Sequence, residues 1–294
     1  MKYKIFFVAV FLITSAMMVQ TTFAASVDTI NIYSKAMKKN IKCVIIVPES
    51  YKIPNNHFPV VYLLHGYSGD YADWISKVPE LKNYVDEFQE IIVCPDGHYN
   101  SWYFDSPLDS TIRYETYISK EVPHYIDSAY KTLPKRNFRA ICGLSMGGHG
   151  ALFIAWRHPD IFGAAGSMSG LVNILQFKTR YQLINVLGDT LKNRAIWNNS
   201  AVINIVEKKP ALIPAIIFDC GISDDFIEVN RALHRKLMKL NIPHDYIERP
   251  GAHNWMYWEN AVAYQLLFFK KYFSVSSNNS FYFFGLGIKT CKDN

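Results

Sequence analysis

The feature that most constrains this chain is a serine held between two glycines where one kind of periodicity gives way to another. Residues Ile141-Cys142-Gly143-Leu144-Ser145-Met146-Gly147-Gly148-His149-Gly150 are entered from an apolar run, 138–144, and left through a helix-forming run, 151–158. A strand that turns sharply into a helix puts the residue at the turn in a costly backbone conformation and crowds the positions two before and two after it. Gly143 and Gly147 relieve that crowding. The start of the helix then brings a backbone N–H and a positive dipole end beside the Ser145 hydroxyl, where an oxyanion would need them. As a bare pattern, Gly-x-Ser-x-Gly is equally the mark of a glycine-rich turn. The remainder of the chain decides between the two readings by what acids, bases and donors it supplies.

Strand and helix patterns alternate from about residue 58 onward. Strand-like runs cover 28–34, 39–47, 59–64, 91–95, 162–168, 215–219 and 244–248, with the elbow strand between the fourth and fifth of these. The run Pro59-Val60-Val61-Tyr62-Leu63-Leu64 is continuously apolar, as expected of a strand covered on both faces. Helical stretches cover 78–88, 114–130 (which Pro123 is expected to kink or split), 181–187, 226–240 and 255–273. This order predicts an α/β fold: a single-domain, mostly parallel sheet with helices on both faces and an antiparallel edge from the first two strands. Residues 171–212 have little strand character and exceed an ordinary connection, which suggests an insertion or partial lid.

The 294 residues are 50% hydrophobic and 19% charged, enough for a sizeable core. The first 24 residues read as a signal peptide: Lys2 and Lys4, an apolar run 5–19, and a small-x-small site at Thr22-Phe23-Ala24. The expectation is therefore a secreted or periplasmic protein with no stable membrane anchor after cleavage. The domain follows at 25–273, with an appended tail at 274–294. The formal charge of +6 drops by two with Lys2 and Lys4, and the remaining Lys and Arg are scattered, so nucleic acid is not an expected partner. Cys43, Cys94, Cys142 and Cys220 sit in or beside apolar runs and read as buried small hydrophobes, with Cys291 the odd one in the tail. His98 and Asp96 have no third ligand spaced to join them, so neither a metal nor a cofactor is expected.

Ligands in open α/β sheets bind past the carboxyl ends of the strands. Past the 215–219 strand lie Gly221-Ile222-Ser223-Asp224-Asp225, and past the 244–248 strand lie Gly251-Ala252-His253-Asn254-Trp255. With Ser145 they give the order serine, acid, histidine. In that reading Ser145 is the nucleophile, His253 the base that activates it, and an aspartate the group that orients the imidazole. Spacing alone leaves Asp224 and Asp225 both open as the acid. The oxyanion donors would be the backbone N–H groups of Met146 and of Tyr67, in the loop His65-Gly66-Tyr67. Candidate substrate contacts are His65, Trp102, Tyr103 and Trp255, although His65 is expected to hold its loop by hydrogen bonds rather than to move protons. Trp102 and Tyr103 follow a strand end and are candidates for lining an acyl or sugar pocket. His149 has no acid partner in sequence and is expected to pack or cap its helix.

Taken together, His65-Gly66, Asn100-Ser101-Trp102-Tyr103, Gly143-Leu144-Ser145-Met146-Gly147-Gly148, Arg157-His158-Pro159, Asp219-Cys220-Gly221 with Asp224, and Gly251-Ala252-His253-Asn254-Trp255 give the chain a family resemblance. From about residue 30 to 273 it resembles the putative esterase family of α/β-hydrolases, which includes esterase D and S-formylglutathione hydrolases, feruloyl and acetyl-xylan esterases, and the antigen 85 mycolyltransferases. The resemblance implies that the acid lies three residues after Gly221, which favours Asp224. Family members often carry a second glycine where this chain has Ala252. The signal segment makes the secreted, polysaccharide-directed members the nearest in kind. The implied partner is a small-molecule or oligosaccharide ester, the implied bond an acetyl or feruloyl ester on plant polysaccharide, and the implied intermediate an acyl-serine. A thioesterase or an acyltransferase would use the same three residues, whereas a non-catalytic carbohydrate-binding module would not need them.

Overall fold

Three strands with no polar alternation set the centre of the molecule. In a computed structural model that describes residues 25–285, Val60–Leu64, Ile91–Pro95 and Arg139–Gly143 are buried along their whole length. Their side chains still alternate. Val60, Tyr62 and Leu64 point into one apolar core, while Val61 and Leu63 point into the other. A strand that feeds two cores cannot afford a polar face, which is why the pattern is continuous rather than period two.

In chain order the strands are β1 (Ser26–Ser34), β2 (Lys39–Val47), β3 (Val60–Leu64), β4 (Ile91–Pro95), β5 (Arg139–Gly143), β6 (Ala164–Met168), β7 (Ala215–Gly221) and β8 (Asp245–Arg249). They form one eight-stranded sheet in the order β1-β2-β4-β3-β5-β6-β7-β8. β1 and β2 are an antiparallel pair, β2 is antiparallel to β4, and the other neighbours are parallel. The expected α/β architecture with an antiparallel edge is therefore present. One face carries the helices Met146–Arg157 and Ile227–Lys239, the other the helices Leu81–Phe88 and Trp255–Gly285.

From β3 the chain moves outward to β4, then returns to the other side of β3 as β5. The order reverses at β3 and β5, and the loops leaving these two strands part around a crevice at their carboxyl ends. His65–Gly69 leaves β3 and Leu144–Ser145 leaves β5, so the topology alone brings these two segments together.

Several element boundaries differ from the sequence reading. β1 begins at Ser26, two residues earlier than expected, and β6 begins at Ala164 rather than Phe162. The stretch 114–130 is split as Pro123 requires: helix Tyr114–Thr116 passes through a wider π turn, Tyr117–Glu121, into helix Val122–Ala129. Pro123 lies in the first turn of that last segment, directly after the π turn. The final helix does not stop at Phe273 but runs Trp255–Gly285. The segment 171–212 folds into short helices, Leu183–Leu187, Arg194–Ser200 and Val202–Ile205, packed on the Met146–Arg157 face. Cys43, Cys94, Cys142 and Cys220 are buried free thiols. The signal segment 1–24 and Cys291 lie outside the described residues. No helix among the described residues is long and apolar enough to cross a membrane.

Candidate active site

Ser145 sits at the turn with φ 52° and ψ −113°, a conformation that an L-residue holds only under constraint. The constraint is visible around it. Its N–H donates to the carbonyl of Met168 at 2.9 Å, and its carbonyl accepts from His149 N–H at 3.0 Å. A Cβ on Gly143 would stand 2.7 Å from the backbone of Gly147, and one on Gly147 would stand 2.5 Å from the carbonyl oxygen of His65. The two glycines thus let strand, helix and the β3 loop converge on one point, as the sequence spacing requires.

His253 Nε2 lies 2.9 Å from Ser145 Oγ, and His253 Nδ1 lies 2.9 and 3.1 Å from the two carboxylate oxygens of Asp224. An ionised carboxylate only accepts, so Nδ1 carries the proton and Nε2 offers its lone pair to the serine hydroxyl. Asp224 is buried, and its Oδ1 also accepts the N–H of Phe226 at 2.8 Å. Asp225 is exposed, so of the two aspartates that spacing left open it is Asp224 that meets His253. The imidazole is fixed in its plane by Phe226 and Trp258, whose rings meet it edge-on at 4.7 and 4.9 Å.

The loops that deliver Asp224 and His253 are tied to each other. Ile222 N–H donates to Arg249 carbonyl and Ser223 N–H to Gly251 carbonyl, each at 2.9 Å. Beneath them, Asp219 at the end of β7 is fully buried. Its carboxylate accepts from Tyr257 Oη at 2.8 Å and Gln265 Nε2 at 2.6 Å, and Arg249 Nη2 stands 3.2 Å away. Burial pushes the Asp219 carboxyl up to about 6, against the pull of Arg249 and the two hydrogen bonds. One buried carboxylate therefore joins β7, β8 and the final helix, the three elements from which the acid and the histidine project. In the sequence Asp219 ends an apolar strand and belongs to the Asp219-Cys220-Gly221 run of the family resemblance, but nothing local gives it a role.

The N–H groups of Tyr67 and Met146 are not donated to any protein acceptor among the described residues, whereas their neighbours Ser68 and Gly147 are both paired. A Cβ on Gly66 would lie 3.6 Å from Ser145 Cβ, so the β3 loop passes directly beside the serine. That loop is held from behind. His65 is buried; its Nε2 accepts Gly97 N–H at 2.7 Å and its Nδ1 donates to Gly66 carbonyl at 2.8 Å. Burial lowers the His65 pKa, which keeps the ring in this neutral, one-donor form.

Three expected substrate contacts are not where a substrate could meet them. His65, Trp102 and Tyr103 are buried in the core. Tyr103 Oη donates to His65 carbonyl at 3.0 Å, and Trp102 Nε1 donates to Tyr181 carbonyl at 3.0 Å. Trp102 thereby braces the 171–212 segment from beneath, while Tyr103 braces the β3 loop. Trp255, by contrast, lines a cavity of about 370 Å³ together with Tyr67, Asp73, Ser145, Tyr181 and His253. Trp258 borders it as well. Tyr181 belongs to the 171–212 segment, so that insertion does reach the site. Neither Tyr181 nor Asp73 was singled out in the sequence, where nothing local marks them. Trp258 could have been found, since it follows Trp255 by one helical turn. His149 packs as expected: buried between Trp102, Phe104 and Phe153, it donates Nε2–H to Ser200 carbonyl at 2.9 Å, and burial pulls it down to about 3.

Residues 34–269 match the family described as "Putative esterase". The chain is similar to an acetyl esterase of Caldicellulosiruptor saccharolyticus, 28% identical over 257 residues, covering 80% of this chain and 94% of that one. It is also similar to the diacylglycerol acyltransferase/mycolyltransferase Ag85B of Mycobacterium avium, 31% identical over 186 residues, covering 60% and 54%. Among solved structures, a ferulic acid esterase superposes with a TM-score of 0.74 at 28% identity, covering 85% of this chain and 99% of the other.

Proposed function

This chain belongs to the putative esterase family, and from that membership we propose that it is an exported serine esterase that removes acetyl or feruloyl groups from plant polysaccharide or its oligosaccharides. The observation that carries the reading is the unbroken path from Ser145 Oγ through His253 to Asp224, each step 2.9 Å.

The chemistry follows from that path. Ser145 Oγ attacks the ester carbonyl carbon while its proton passes to His253 Nε2. Asp224 stabilises the imidazolium that results and holds the ring in the tautomer that can accept. The carbonyl oxygen becomes an oxyanion, for which the N–H groups of Met146 and Tyr67 are the available donors; one such donor lowers the barrier by about 3 kcal/mol. Collapse expels the alcohol, which takes the proton back from Nε2, and leaves an acyl-serine. A water then enters along the same route: His253 accepts its proton, the acid departs, and Ser145 regains its hydrogen.

Kinship supports the acetyl and feruloyl assignment. The acetyl esterase and the ferulic acid esterase that resemble this chain bear those activities in their names, and both similarities span nearly the whole of the other protein. Export rests on residues 1–24. A panel of acetylated and feruloylated xylo-oligosaccharides, run beside 4-nitrophenyl acetate, tests the reading. Release of acetate or ferulate from the oligosaccharides supports it. Turnover of the nitrophenyl ester with none of the oligosaccharides would reject the polysaccharide assignment and keep the esterase. The mature N-terminus after expression in an exporting host tests the signal segment: the expected first residue is Ala25, and a chain still beginning at Met1 contradicts cleavage.

Acyl transfer is the second reading, favoured by the similarity to the Ag85B acyltransferase. Adding a sugar acceptor during turnover separates the two. Hydrolysis predicts free acid throughout, and transfer predicts acylated acceptor at the expense of acid.

A further inference from the structure

Asp73 brings a negative charge into the cleft that holds Ser145 and His253. Among the residues lining the cavity it is the one carboxylate, and no Lys or Arg accompanies it. Beside Ser145 and His253, the walls are formed by Tyr67, Tyr181, Trp255 and Trp258, by Leu144 and by the β3 loop.

The carboxylate has spare capacity and a fixed position. Oδ2 accepts a long bond from Asp70 N–H at 3.3 Å, and among the described residues Oδ1 accepts none and no ion pair is formed. An ionised carboxylate offers about four lone-pair sites, so most are left for a ligand. Position is set by the next residue. Trp74 is fully buried, donates its indole N–H to Leu64 carbonyl at 3.0 Å, and stands edge-on to Trp255 at 5.3 Å. Asp73 therefore cannot drift from the β3 loop: Oδ2 lies over Gly69, where any Cβ would collide with it. Burial raises its pKa, with the Asp70 N–H and the charge of Lys77 acting the other way.

We propose that Asp73 is a specificity-determining residue that selects the alcohol half of the substrate, taking uncharged, hydroxyl-bearing alcohols and turning away anionic ones. The inference rests on the serine esterase reading above and adds the charge of the leaving group to it. Hydroxyl groups are donors that match free carboxylate lone pairs, and a flat ring such as Trp255 packs against the C–H face of a sugar. A leaving group with carboxylates of its own meets a like charge in a partly desolvated cleft whose lining holds no Lys or Arg.

The test compares substrates that share an acetyl group and differ in what leaves. N,S-diacetylcysteamine is a neutral thioester and S-acetylglutathione an anionic one; acetylated xylotriose supplies neutral hydroxyls. For Asp73→Asn, which keeps the shape and removes the charge, the preference for the neutral over the anionic thioester should shrink by about tenfold, the worth of one charged contact. KM for acetylated xylotriose should rise by about the same factor while kcat changes less. Asp73→Glu, which restores the charge, should keep the wild-type thioester preference to within about threefold. High salt should narrow the wild-type preference and leave that of Asp73→Asn unmoved. An equal change on all three substrates, or an unchanged thioester preference in Asp73→Asn, would overturn the proposal by reducing Asp73 to a turn residue. Ser145→Ala, inactive on every substrate, judges the underlying esterase reading separately. A wild type that cleaves the thioesters but not the sugar ester rejects the hydroxyl half of the proposal, and the thioester pair still decides the charge half.

Discussion

Trp102 donates its indole N–H to the carbonyl of Tyr181 at 3.0 Å, across 79 residues of sequence. The bond joins a ring that is wholly buried to a residue that lines the cleft, with its neighbour Gln182 held in turn by Asn100 Nδ2 at 2.6 Å. Trp102 therefore bears on the cleft through Tyr181 rather than by lining it. Trp102→Phe keeps the ring buried and removes the donor, at a cost of about 1 kcal/mol. KM for 4-nitrophenyl acetate should rise roughly threefold with kcat little changed, because Tyr181 loses its anchor while the reacting groups keep theirs. Steady-state kinetics on the purified variant check this, and an unchanged KM contradicts it.

Asp224 and Asp225 are adjacent in sequence and opposite in environment, one buried on His253 Nδ1 and the other exposed. Asp224→Asn should lower kcat by about 10⁴, since an amide can no longer impose the tautomer that the serine needs. Asp225→Asn should stay within about twofold of wild type. Equal losses in the two variants would mean that the loop, and not one carboxylate, carries the effect.

At Gly147 a methyl group has nowhere to go but against His65 carbonyl, 2.5 Å away. Gly147→Ala should push the β3 loop and its Tyr67 N–H away from Ser145 and cost about 10² in kcat, the usual scale for a misplacement of about 1 Å. Near-UV circular dichroism distinguishes this from unfolding: a native spectrum with reduced kcat is expected, and a native spectrum with full activity contradicts the tight approach.

Glu90 is buried with neither carboxylate oxygen paired, and burial pushes it up to about 8 despite the charge of Lys270. A carboxyl raised on folding stabilises the native state below its unfolded pKa of 4.5, and that contribution is lost as pH rises through about 8. Glu90→Gln cannot ionise, so its Tm relative to wild type should climb by roughly 5 °C or more between pH 5 and pH 8.5. Thermal melts of the two proteins at both pH values check this; a constant difference contradicts it.

What could be read from the sequence was what local physics dictates. Gly143, Ser145 and Gly147 had to sit at a strained turn, and Asp224 and His253 had to follow strand ends, because each constraint is confined to a few residues. Trp102 and Tyr103 turn to the core rather than the cleft because of distant partners, Tyr181 for Trp102 and His65 with Gly150 for Tyr103, which no local pattern shows. Asp73, Tyr181 and the Asp219–Arg249 contact depend on segments far apart in the chain, so no local pattern announces them. The final helix outran its expected end for a related reason. Ser274-Val275-Ser276-Ser277 has poor helix propensity, yet it continues a helix already committed by the buried side of Trp255–Phe273.

The central claim is that Ser145 forms the acyl intermediate, and turnover of a short-chain nitrophenyl ester by Ser145→Ala tests it most directly. The variant keeps the cleft, the Met146 and Tyr67 donors and the His253–Asp224 pair, and lacks only the attacking oxygen. The account predicts a fall in kcat of about 10⁴ or more. Activity near that of the wild type would contradict it.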